Sequence, residues 1–139
     1  MANVMRAHVP IGMLPSNLDW AAVDALSQRY ALGVPEIDQQ HRMLFSWYIA
    51  LRTTPDVLQI AEGLIAYAAG HFEDEEAWAA EYGVDIAAHT HLHNELLTRL
   101  DNIQARNGHL EVVALLYDWL TTHIDTDDRA LVARAMGAG

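Results

Sequence analysis

Apolar residues recur along this chain at helical rather than strand spacing. Met43, Leu44, Trp47, Tyr48 and Leu51 follow the three- and four-residue steps that line one side of an α-helix. Val57, Ile60, Ala61, Leu64, Ala68 and His71 form a second such stripe. No segment sustains the two-residue alternation of a half-buried strand, so no sheet is expected. Punctuation residues divide the pattern. A helix is predicted from near Asp38 or Gln39, with Asp38 as its cap, to about Arg52. Thr54-Pro55 reads as a cap followed by proline at the first helical position, opening a helix that runs to about Glu81 before Gly83 stops it. Asp85 caps a third helix, which extends to about Arg106 and ends at Asn107-Gly108. A fourth covers roughly 109–126, and a short tail helix follows from Asp127 to Met136. Ahead of these, Pro10, Gly12 and Pro15 break any periodicity, and a short helix is expected around Trp20–Tyr30 before Gly33 and Pro35. The expected architecture is all-α, an antiparallel up-down-up-down four-helix bundle with an extended N-terminal arm. One domain spans 1–139, with residues 1–20 as arm and 33–128 as bundle core.

Composition narrows the partners. The 8 Lys+Arg against 19 Asp+Glu give a net charge of −11. Such a surface repels phosphate backbones and anionic headgroups, so neither nucleic acid nor a membrane is an expected partner. No apolar run reaches the roughly 18–20 residues needed to span a bilayer. The first 20 residues lack the apolar stretch of a secretory signal. With 0 Cys there are no disulfides, thiolate ligands or iron–sulfur clusters, which fits a cytoplasmic protein. Trp47, Trp78 and Trp119 are read as packing residues.

The chemistry lies in the histidines. His71 and Glu75 stand four residues apart, as do His89 and His93, so each pair shares one helix face. His41 and His123 add a donor from each of the other two long helices, and an acid follows His123 at Asp127 or Asp128. His91 points away from its neighbours and has Glu95 one turn on, so it is read as a surface residue. His8 and His109 carry no further signal. A lone histidine pair is more often a surface coincidence. Here every predicted bundle helix supplies a donor, and burying them without a metal would strand many polar atoms. Imidazole and carboxylate without thiolate suit iron or another first-row ion. Seven groups exceed the four of a closed zinc site. Two six-coordinate ions sharing two carboxylates and one solvent oxygen would use five histidines and leave one position open. Ferritin-like sites instead use several glutamates. A histidine-rich set leaves more positive charge on the metals, which favours reversible oxygen binding over oxygen activation.

Four stretches carry a family resemblance: GVPEIDQQHRMLF at 33–45, HFEDEE at 71–76, HTHLHNELL at 89–97 and WLTTHIDTDD at 119–128. In these the chain resembles the hemerythrin family in its bacterial form, the bacteriohemerythrins. The resemblance implies two non-haem iron ions with an oxo or hydroxo bridge and O2 as the ligand. It implies that His89, His93 and His123 hold one iron, that His41 and His71 hold the other, and that Glu75 and Asp128 bridge them. It selects Asp128 over Asp127, although a five-residue offset is poorly aligned on a straight α-helix. Ala79 stands where the family often has methionine, and no proline follows Tyr82.

The function implied is oxygen storage, delivery or sensing rather than catalysis. The alternatives are a di-iron oxidase or peroxidase, a nitric-oxide-reactive enzyme, an iron store or a zinc-loaded bundle. These 139 residues leave no room for an output domain, which favours a store or delivery protein over a sensor. Phe72, Ile124, Leu120, Trp119, Leu44 and Ile37 are expected to keep the metal pocket dry. Asp38 or Gln40 is expected to hold the outer nitrogen of a ligating imidazole.

Overall fold

A computed structural model describes residues 14–15, 17–53, 57–105 and 109–137. The described residues are helical, with no strand among them. The helices are α1 (Trp20–Arg29), α2 (Pro35–Thr53), α3 (Val57–Glu81), α4 (Ala87–Ala105), α5 (His109–Thr122) and α6 (Arg129–Ala135), with a π-helical turn over His123–Asp128 between the last two. No helix among the described residues is long and apolar enough to cross a membrane. Most of the arm, Thr54-Pro55 and Asn107-Gly108 lie outside the described residues, as does His8.

Local chemistry sets the helix limits. The Asp19 carboxylate accepts from the Ala22 N–H at 3.1 Å and starts α1. α2 begins at Pro35, three residues before the predicted start. Proline brings a helical φ and lacks only an N–H that would have had no partner. Asp38 is therefore inside the first turn. Its carboxylate reaches back to the N–H groups of Leu32 (2.8 Å) and Gly33 (3.0 Å), pinning the α1–α2 connection. At the end of α3 the Val84 N–H donates to the Ala79 carbonyl and the Gly83 N–H to that of Ala80, with Gly83 at φ 74°. This pairing closes a helix and needs the left-handed conformation glycine adopts freely. Asp85 then accepts from the Ala87 N–H at 3.1 Å to open α4.

α2 packs on α1, α3 and α5, α3 also on α4 and α5, and α4 on α5. Two apolar clusters result. The larger is built from residues such as Leu44, Phe45, Trp47, Leu64, Phe72, Leu96, Leu100, Leu116 and Ile124. The smaller comprises Val34, Ile37, Trp78, Ala79, Leu131, Val132 and Ala135. Between them, at the same level of α2, α3 and the π turn, stands a band of buried polar residues: Gln40, His41, His71, Asp74, Glu75, His123 and Asp128.

Candidate metal centre

His41 comes from the first half of α2, His71 and Glu75 from α3, His89 and His93 from α4, and His123 and Asp128 from the π turn. All seven are at most 5% exposed. The four-residue spacing carries each pair on α3 and α4 to one face. The π turn does the same for His123 and Asp128. Its bonds skip one residue more than an α-helix, as in the Arg129 N–H bonded to the Ile124 carbonyl, so an offset of five returns to one side. Asp127, four residues on, faces the outer nitrogen of His123 instead.

The carboxylates are divided. Glu75 Oε1 lies 2.9 Å from His89 Nε2 and 3.3 Å from His93 Nε2. Its Oε2 lies 3.5 Å from His71 Nε2 and 3.6 Å from His41 Nε2. Asp128 Oδ1 lies 2.9 Å from His89 Nε2 and 3.0 Å from His123 Nε2, and its Oδ2 lies 3.2 Å from His41 Nε2. The donor atoms thus fall into two groups, Glu75, His89, His93, His123 and Asp128 in one, His41, His71, Glu75 and Asp128 in the other. Each carboxylate serves both groups.

The hydrogen bonds on the outer sides of the imidazoles set which nitrogen carries the proton. Asp74 Oδ2 can only accept, so it takes the Gln40 Nε2–H at 2.9 Å. That turns the Gln40 carbonyl to His71, whose Nδ1 must donate across 2.6 Å. His93 Nδ1 donates to Glu76 at 2.8 Å, and His123 Nδ1 to Asp127 at 2.9 Å. With the outer nitrogens protonated, the inner Nε2 atoms carry lone pairs. Those of His93 and His123 face each other at 3.0 Å. Two neutral imidazoles cannot both aim a lone pair at that gap without a cation or a shared proton between them. His41 Nε2 and Glu75 Oε2 are buried with no hydrogen-bond partner among the described residues. Donors about 2.1 Å from a common ion and at right angles lie about 3 Å apart, close to these separations. The residues fit a first-row metal.

Electrostatics agree. Burial disfavours a charged His41, but Asp128 and Glu75 beside it outweigh this and hold its pKa up at about 9. His89 is raised to about 9 by the same two acids against the same burial. Burial pulls His71 down to about 3. Burial would raise Glu75, yet the imidazoles of His41, His89 and His93 set against it hold it well below the usual range. Asp128 is likewise depressed: burial and Glu75 push it up, and His123, His41 and His89 more than offset them. Two buried carboxylates thus stay ionised side by side, which requires cationic charge between the helices.

Residues 32–135 match the family model of the Hemerythrin HHE cation binding domain. The chain belongs to the hemerythrin family. The match extends a few residues beyond the 33–128 of the sequence motifs, through α6. A hemerythrin-family domain binds metal cations, and the buried His, Glu and Asp groups here are able to hold them. Comparison with curated proteins and with solved structures found no match.

Around the centre, Phe72 stacks on His93 at 3.9 Å and Trp119 on His123 at 4.2 Å. Leu44, Leu120, Ile124 and Ile37 are buried, and Trp119 is half-buried. Of the two residues expected behind the candidate histidines, Gln40 stands behind His71 and Asp38 is instead engaged with Leu32 and Gly33. Glu76, Asp127 and Asp74 were missed in that role. Glu76 reaches a histidine 17 positions away on another helix, and no single-helix spacing reveals it. His91 pairs with Glu95 at 3.1 Å on the surface, as expected.

Proposed function

We propose that the chain holds two iron ions and binds O2 reversibly, as a store or carrier. The observation that carries this reading is the division of each carboxylate, one oxygen toward two members of the three-histidine group and the other toward the two-histidine group. His89, His93 and His123 would hold one ion, His41 and His71 the second, and Glu75 and Asp128 both. When bound, the iron pair with its solvent-derived bridge supplies the electrons that O2 takes up and returns. The second ion has four protein donors against five for the first, which leaves it more room for a gas molecule.

The chain's own residues position and protect. Gln40 fixes the tautomer of His71, and Glu76 and Asp127 fix those of His93 and His123. Phe72 and Trp119 cover two of the imidazoles and exclude water. Glu75 and Asp128 are buried with their oxygens turned toward the histidines, so both would be occupied by the ions rather than by a substrate. That favours binding over catalysis. An antiparallel four-helix bundle is part of the same proposal. It is supported by the order in which successive helices meet the clusters: α2 runs from the smaller to the larger, α3 from the larger to the smaller, α4 from the centre into the larger, and α5 with α6 back again. We further assign the whole chain to one domain and place it in the cytoplasm, in keeping with its lack of cysteine.

The test is anaerobic loading with Fe(II), then air, then argon. Two iron per chain and a visible absorption band that appears in air and vanishes under argon are expected. A band that forms once and never reverses would favour an oxidase. Turnover of peroxide or nitric oxide beyond one equivalent per site would favour an enzyme. Iron uptake well beyond two per chain would favour a store of iron.

A further inference from the structure

The two groups of histidines differ on their outer sides. In the three-histidine group, two imidazoles are backed by carboxylates: His93 Nδ1 donates to Glu76 Oε2 at 2.8 Å, and His123 Nδ1 to Asp127 Oδ2 at 2.9 Å. Both acids sit at the rim, with side chains 21% and 37% exposed. In the two-histidine group neither backing is charged. His71 Nδ1 donates to the neutral amide of Gln40 at 2.6 Å, and that amide is locked by Asp74 on its far side. His41 Nδ1 is buried and has no hydrogen-bond partner among the described residues.

This contrast has an electronic consequence. A carboxylate that accepts an imidazole N–H pulls the proton outward and pushes electron density to the inner nitrogen, making it a stronger donor. A neutral amide does so less, and an unpartnered N–H not at all. The chain also places the backing acids beside the inner ones in sequence, Glu76 after Glu75 and Asp127 before Asp128. On α3 and on the π turn, one acid of each pair faces the centre and its neighbour faces the back of a histidine.

We propose that Glu76 and Asp127 are positioning residues that make the three-histidine position the tighter-binding, lower-potential member of the pair. The inference rests on the two-ion reading above.

The experiment is an anaerobic Fe(II) titration of the full chain by equilibrium dialysis. It is followed by potentiometric oxidation with ferricyanide, one electron passing from each iron to one ferricyanide. Wild type should bind its first equivalent at least tenfold more tightly than its second. Glu76→Gln and Asp127→Asn should each weaken the first equivalent by about 10- to 100-fold, the range for a lost partner behind a ligand, and so close the gap. Both should also raise the first oxidation potential. Gln40→Leu should instead weaken the second equivalent, widen the gap and leave the first potential in place. The shift in potential separates an electronic role from mere loosening. Variants that weaken both equivalents alike, or move neither, would overturn the inference while leaving two-ion binding intact. A wild-type chain that takes up fewer than two ions would overturn the two-ion reading and this inference with it.

Discussion

Stripped of metal, the protein should lose stability as pH rises above neutrality, and loading should reverse that slope. His41 and His89 have ordinary values near 6.5 and stand at about 9 in the fold, because Glu75 and Asp128 flank them. Between those values the folded chain holds protons that the unfolded chain has released, so stability falls with rising pH. The difference of roughly 2.5 in pKa corresponds to about 3.5 kcal/mol for each histidine once fully lost, at about 1.4 kcal/mol per unit. The two share the same acids, so the combined loss by pH 9 is between about 3 and 6 kcal/mol, a large part of a small domain's stability. Below pH 6.5 the sign inverts. His71, held down to about 3 by burial, cannot take the proton that its unfolded counterpart binds. Glu75 and Asp128, both depressed, add to the loss as pH falls through the carboxylate range. Metal-free protein should therefore be most stable near pH 6.5. Metal needs deprotonated ligands and binds the folded state, so loaded protein should gain stability over the same rise. Urea unfolding followed by far-UV circular dichroism, at half-unit steps from pH 5.5 to 9 on metal-free and Fe(II)-loaded protein without oxygen, reads both slopes. A metal-free stability that is flat or rising from pH 6.5 to 9 would refute the argument that two ionised acids are balanced by protonated histidines.

Three further outcomes follow from the packing. Phe72→Ala opens a cavity beside His93 and should cost about 3–5 kcal/mol in urea unfolding; a loss under 1 kcal/mol would mean that the ring is not part of the packed wall. His91→Ala removes only an exposed pair with Glu95 and should change stability by less than about 0.5 kcal/mol, with metal content unchanged by elemental analysis. Tyr67 is raised to about 12 by burial and by Asp74, so an ultraviolet titration should show one tyrosine ionising well after the ordinary value near 10. The sign is that stability present below pH 10 is lost as pH climbs to 12, and a Tyr67→Phe variant should lack that late step.

Helix existence and most helix limits were readable from the chain, because they depend on neighbours one turn apart. The stripe around Leu44 and Trp47, the stop at Gly83 and the opening at Asp85 are of this kind. So is the shared face of His71 with Glu75 and of His89 with His93. The start of α2 was misplaced because a proline at the first helical position and an acid reaching back from the first turn leave the same local signature as a cap.

The sequence alone determined which residue types were available for a metal and which helix face each occupied, since a periodicity of 3.6 is a property of a single helix. Only the tertiary structure decided how those faces meet. Whether Asp127 or Asp128 turns inward depends on a π turn, whose extra residue is invisible to an α-helical count. The sharing of Glu75 between His41 and His89, and the backing of His93 by Glu76, join residues on different helices. Those distances are set by the packing of two apolar clusters on either side of the centre, and packing is a relation between helices that no spacing along one of them encodes.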